Sequence, residues 1–239
     1  MKLAVLSDIH AAANAYEAAL RAARVEGFDQ LLILGDLLTY GPHPERTIEL
    51  TADAVSRDGA QLLIGNHDQL YQAAGATSQS YCAGLPEWIR ESIGWTLSRT
   101  GSDPLSRFNW LEEWAAGDLL AAHANPFGVG DWTYLNGDAV FDQAGKVLEQ
   151  RGFRYGVFGH THRFACRETV GNWVATVGSV GQPRDRTNLM PQWAVAYSDG
   201  RSWKLEQRHV EFDWSSHRAA IETTSMSETT KERICGFFA

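Results

Sequence analysis

At 239 residues the chain has room for one large domain or two small ones, and its 44% hydrophobic and 21% charged content are those of an ordinary globular protein. A net charge of −8 excludes a broad basic surface for nucleic acid, and no apolar stretch reaches the roughly 18 residues that span a bilayer. The three cysteines, Cys82, Cys166 and Cys235, form neither a C-x-x-C pair nor a disulfide framework, which points to a reducing, cytoplasmic setting.

The opening stretch MKLAVLSDIHAAANA admits two readings. An export signal needs an apolar core of about 7–15 residues, but LAVL is interrupted after four by Ser7 and Asp8. A first buried strand over 3–7 is the better reading. A helix follows in which Tyr16, Leu20 and Ala23 share a face. LLIL (31–34) reads as a second strand, and PERTIELTADAVSR as a helix with Ile48, Ala52 and Val55 at helical spacing. LLI (62–64) completes a strand–helix–strand–helix–strand series, the pattern of right-handed βαβ units and a parallel sheet.

Residues 81–114 read as a helical segment holding Trp88, Trp95, Trp110 and Trp114, in two helices, PEWIRESIGWTLSR and PLSRFNWLEEW. They suit a layer packed on the sheet better than a substrate lid. DLLAAH (118–123) returns to strand, 139–151 to helix and YGVFGH (155–160) to strand. From 164 onward FACRETV, NWVATVG, WAVAYS and SWKLEQRHVEF alternate between turns, as in a second, more antiparallel sheet. The tail over 213–239 is expected to form a short docked helix. The fold class is α/β, with one domain over 1–212 built from two layered sheets.

Chemistry enters where the apolar runs stop. Asp8 and His10 end the first, Asp36 the second, Asn66 and His67 the third, His123 the fourth, and His160 and His162 the fifth. Ligands of an open α/β sheet gather at the carboxyl ends of its strands, and each i, i+2 pair points to one side of an extended segment. A lone His123 would more often be a hydrogen-bonded core residue than a ligand. Costly polar groups at five strand ends are not explained that way. Carboxylate, imidazole and amide donors without thiolate suit Mn, Fe, Zn or Ni. Seven of these eight residues would already exceed one tetrahedral site and fit two ions bridged by one carboxylate. Gly35, Gly65 and Gly159 each precede a candidate ligand, where a tight turn would want one.

These motifs, Asp8-Ile9-His10, GDLLTYG, GNHD, His123 and GHTH, resemble in order those of the calcineurin-like metallophosphoesterase superfamily. GSVGQPRD (178–185) resembles a loop of its small bacterial phosphodiesterase-like branch and extends the likeness to about residue 212. The resemblance implies a two-layered β-sheet sandwich flanked by helices. It implies one metal ion on Asp8, His10, Asp36 and His162, and a second on Asp36, Asn66, His123 and His160. The ions would be divalent or trivalent, manganese first, with Fe, Zn or Ni as alternatives. His67 would sit over the phosphate, oriented by Asp68, and protonate the leaving oxygen.

Tyr40 stands where the protein-phosphatase branch has a phosphate-gripping arginine, and a phenol cannot replace a guanidinium. Tyr40 would stack on a substrate base or pack. Arg184 would reach a substrate phosphate or brace its loop by pairing with Asp185. Three alanines displace Asn14 from the position relatives give it, and Ala124 replaces a usual glycine after His123. His43, His209 and His217 match no motif and are expected to face solvent or pack. The implied function is hydrolysis of a mono- or diester in a small phosphorylated molecule or nucleotide. The alternatives are a nuclease or RNA-end processing enzyme, and a metal-stabilised scaffold using 81–114 as a partner surface.

Overall fold

Eleven strands in two sheets organise the computed structural model, which describes residues 1–72, 82–169 and 171–238. β1 (Lys2–Leu6), β2 (Gln30–Ile33), β3 (Gln61–Leu63) and β4 (Trp110–Leu111) run parallel side by side. The crossovers are α1 (Ala13–Glu26), α2 (Pro44–Asp58) and α3 (Glu87–Thr100). The second sheet holds β5 (Glu113–Ala116), β6 (Leu119–Ala122), β7 (Tyr155–Phe158), β8 (Phe164–Thr169) and β9 (Asn172–Val177), in the order β5-β6-β7-β9-β8. α4 (Asp138–Gln150) connects β6 to β7.

The continuous apolar runs are explained by burial on both faces. Leu3, Val5, Leu32 and Leu34 point between the sheets, where they meet Leu119, Ala121, Tyr155, Val157 and Trp173. Their neighbours Ala4, Leu6, Leu31 and Ile33 point the other way, onto α1, α2 and the C-terminal helices. Leu120, Ala122 and Phe158 on the outer face of the second sheet meet Phe141, Ala144 and Leu148 of α4. The result is a helix–sheet–sheet–helix sandwich. Each fully buried Leu contributes about 1.5–3 kcal/mol to it.

Four expectations are corrected. The strands after residue 164 do not form a sheet of their own. β8 and β9 extend the second sheet beside β7, whereas β10 (Gln192–Ser198) joins the first antiparallel to β1, with β11 (Trp203–His209) antiparallel to β10 at its edge. Strand identity is local, but the choice of neighbour depends on which sheet edge is open. The second helix expected in 104–114 is absent: Trp110–Leu111 pairs with β3 and Glu113–Ala116 with β6, so this segment crosses between sheets. The Trp110/Trp114 spacing imitates a helical period, and edge pairing overrides it.

On α2 the inward face is Thr47, Leu50, Thr51 and Ala54, with Val55 exposed; the threonine hydroxyls bond back to the His43 and Thr47 carbonyls and so can be buried. The tail forms two helices, α5 (Ser215–Glu222) and α6 (Glu228–Cys235), followed by a 3-10 turn at Gly236–Phe238. Glu91 of α3 ties down the start of α6, accepting from Ser227 N and Oγ at 2.6 Å each. Residue 81 of the predicted helical segment lies outside the described residues.

Candidate metal centre

Beyond the strand ends the loops zip together by backbone bonds. Asp8 N donates to Gly35 O, and both Ile9 N and His10 N to Asp36 O. Gly159 N donates to His123 O at 2.7 Å, joining the loops that follow β6 and β7 of the second sheet. The loop after β9 lies under Asp8, with Val180 N on Ser7 O, Gly181 N on Asp8 O and Ser179 Oγ also on Asp8 O. This closeness explains two of the glycines better than turn geometry does. A Cβ on Gly65 would collide with Asp36 Oδ1, and one on Gly159 with Ser7 Oγ. Only Gly35 has positive φ, +98°.

Every non-glycine residue with positive φ among the described residues belongs to these loops: Asp8, His10, Ala11, Asp36, Thr39, Tyr40, His160 and His162. Each such residue costs on the order of 1–3 kcal/mol, and such strain collects where side chains must be aimed.

The side chains converge on two overlapping groups. Ligand atoms of Asp8, His10, Asp36 and His162 lie within 4.8 Å of one another, and so do those of Asp36, His123 and His160. Asp36 is common to both. Asn66 Oδ1 faces the second group, 3.1 Å from His123 Nε2.

Histidine orientation is set by carbonyls. Nδ1–H of His10 donates to Leu38 O, that of His123 to Leu34 O and that of His162 to Gln182 O. Each of these bonds turns Nε2 toward the cluster as the atom available to a metal ion. His160 is reversed, with Nε2–H on Trp132 O at 3.0 Å, which leaves Nδ1 as its ligand atom. Asp8 Oδ1 is buried, 3.2 Å from His162 Nε2, and accepts no hydrogen bond. An orphaned carboxylate oxygen among four aimed imidazoles fits a cation.

The titration shifts carry the same message. Burial pushes the imidazoles of His10, His162 and His160 down, the last to about 4. Burial also opposes protonation of His123, but Asp36 at 3.5 Å raises it to about 9. The Asp36 carboxyl, pushed up by burial, is held well below its ordinary value by His123 and His67. The imidazoles other than His123 thus stay neutral, the form that ligates a metal, beside the charged carboxylate of Asp36.

Around it, Asp68 and Arg184 make contacts other than those expected, and Tyr40 packs, one of the two roles expected of it. Asp68 does not orient His67. Its carboxylate accepts from the backbone N–H of Asp36, Leu37 and Gly65 at 2.6–2.9 Å, pinning the β2 and β3 loops together. Burial and the neighbouring Asp36 charge push that carboxyl up to about 7. His67 is instead held by Thr39 Oγ1 at Nδ1 and Tyr40 OH at Nε2, both at 3.2 Å. Tyr40 is buried against Trp88, His10 and His67 and has no free face for a base. Arg184 does not pair with Asp185, whose carboxylate caps Thr187; it donates to Gln182 Oε1. Asn14 is exposed on α1, and His217 is buried among Trp214, Phe238 and His43.

Sequence reasoning missed Thr39, Asn125, Trp132 and Tyr134. The Asn125 amide binds Asp131 O, Asp131 Oδ1 and Thr133 O, shaping the loop that puts Tyr134 in a stack on His160 at 4.2 Å. Thr39 stands inside GDLLTYG; neither period nor motif marks the other three, whose position just after His123 was the one available clue.

A helix-flanked sheet sandwich with an Asp/His cluster at the strand ends defines a metal-dependent phosphoesterase. The profile of the family described as calcineurin-like phosphoesterase matches residues 1–164, and the chain belongs to that family. An uncharacterised protein of Methanocaldococcus jannaschii is 29% identical over 97% of this chain and 96% of its own length. A metallophosphoesterase from Sphaerobacter thermophilus has a similar fold (TM-score 0.78, 21% identity, 99% of both chains). So does a hypothetical protein from Pyrococcus horikoshii (TM-score 0.82, 17% identity, 98% of this chain and 97% of that one). No helix among the described residues is long and apolar enough to cross a membrane.

Proposed function

We propose that the chain hydrolyses a phosphodiester or phosphomonoester bond in a small phosphorylated molecule or nucleotide, with two metal ions, manganese first among Mn, Fe, Zn and Ni. The observation that carries this reading is the pair of ligand groups joined at Asp36. Asp8, His10, Asp36 and His162 would hold one ion; Asp36, Asn66, His123 and His160 the other. When bound, the ions would act as Lewis acids on phosphoryl oxygens and make water nucleophilic at neutral pH.

The protein's own contribution is aim and proton control. Carbonyl bonds at the far ring nitrogens lock the imidazoles in the ligating tautomer. His67, beside His10 and held at Nδ1 by Thr39, would exchange its Nε2 contact with Tyr40 OH for the phosphate and pass a proton to the leaving oxygen. Asp68 keeps the β2 and β3 loops at the spacing this needs, a positioning role. Free thiols at Cys82, Cys166 and Cys235 support a cytoplasmic setting.

The test is a panel of aryl phosphate mono- and diesters, nucleotides and oligonucleotides against Mn, Fe, Zn and Ni. Turnover of small esters that depends on added metal supports the reading. A fully loaded site that turns over nothing would instead mark a scaffold, and oligonucleotides preferred over nucleotides a nuclease.

A further inference from the structure

We infer that the substrate carries a second phosphoryl group, held apart from the scissile one in an arginine-lined cavity beside the metal centre; this rests on the phosphoesterase reading above. The cavity, about 800 Å³, is lined by Arg163, Arg184, Arg186 and Arg233, with Glu232 its single acid. Arg163 and Arg184 also line an adjoining cavity of about 340 Å³. In a chain of net charge −8, a concavity with four guanidinium groups reverses the sign of the surroundings and concentrates anions.

None of the four forms an ion pair with a carboxylate among the described residues, whereas Arg24, Arg151 and Arg208 elsewhere are engaged by Asp58, Glu113 and Glu26. Arg184 is held in place by Gln182 Oε1 at 2.9 Å and by the Phe237 ring at 5.6 Å, yet its Nε is buried without a partner. A planar guanidinium fixed in this way with an unused N–H is prepared for bidentate binding of a phosphoryl oxyanion. A cation in the last turn of α6 accounts for Arg233 by itself. It does not account for three more arginines brought in from the loops after β7 and β9.

The cavity adjoins the catalytic groups through covalent and packing neighbours. Arg184 N donates to His162 O, and Gln182, two residues earlier, accepts from His162 Nδ1. Trp88, on the cavity wall, stacks on Tyr40, whose hydroxyl meets His67. A substrate with one phosphoryl group at the cluster therefore has cationic wall within reach of another.

The experiment is calorimetric titration of the manganese-loaded full chain with adenosine 5′-monophosphate and adenosine 3′,5′-bisphosphate, in wild type and in Arg186→Ser/Arg233→Ser. Both arginines are exposed, so the fold should survive, and the melting temperature checks this. The bisphosphate should bind about tenfold or more tighter than the monophosphate in wild type, with the gain falling below about threefold in the variant. Equal affinities in wild type, or an undiminished gain in a folded variant, would overturn the inference. Turnover of p-nitrophenyl phosphate and bis(p-nitrophenyl) phosphate is measured alongside. Turnover without the binding gain sinks this inference alone, and a binding gain without turnover sinks the phosphoesterase reading.

Discussion

The two ligand groups share Asp36 but are built from different material. In the first, Asp8, His10 and His162 are almost fully buried, and the loop after β9 is stitched beneath them by backbone bonds from Val180 and Gly181. The second ends at His160, whose outer nitrogen bonds to Trp132 O and whose ring is covered by Tyr134, itself 48% exposed. One half is therefore fixed by the sandwich core alone, whereas the other, with His123 also oriented from the core by Leu34 O, leans on a surface loop through His160. A metal held by the core half should exchange slowly, and one held by the loop half more readily.

Asp36→Asn tests what the halves share. Even partners one bond removed from a metal affect affinity by about 10–100-fold, so loss of the common carboxylate should lower both retention of metal and turnover by more than about 100-fold. Metal analysis after gel filtration, with an aryl ester assay, reads both, and normal turnover with copurified metal would sink the assignment. Gly159→Ala probes the seam between the sheets. The added methyl meets Ser7 Oγ and sits 2.8 Å from Asp8 Oδ2, so denaturant unfolding should show a loss of roughly 1–3 kcal/mol, with weakened metal binding.

Asn125→Ala attacks only the loop half. It leaves the Phe127 amide and three acceptors without their partner. Chelator competition should then find the more labile metal weakened by about tenfold or more while the tighter one stays within about threefold. Equal weakening of both would erase the distinction. Tyr134→Ala is the mildest change. An aromatic pair is worth about 0.5–1.5 kcal/mol, so the labile metal should lose less than about tenfold in affinity, with no change in the melting temperature of the metal-free protein.

The difference between the halves bears on what a sequence can reveal. The convergence of Asp8, His10, Asp36, His123, His160 and His162 was legible, because each follows an apolar run that has to be a strand. The parallel order of β1, β2 and β3 was legible too, since short βαβ crossovers have one favoured hand and neighbour. The roles of Asp68 and Thr39 were not. Adjacency of His67 and Asp68 suggests a pair, yet the 3-10 turn at Asp68–Tyr71 directs that carboxylate to three buried amides of other loops. Buried N–H groups compete strongly for an anion.

Local sequence thus determined the strands, the polar residues that end them and the metal chemistry those residues offer, because pleat period and donor type are properties of short segments. Tertiary structure decided which sheet β10 and β11 would join, how 110–116 would cross from one sheet to the other, and that arginines from three separate segments would line one cavity. Those outcomes depend on which edges and faces remain open once the core has formed, and no short segment carries that information.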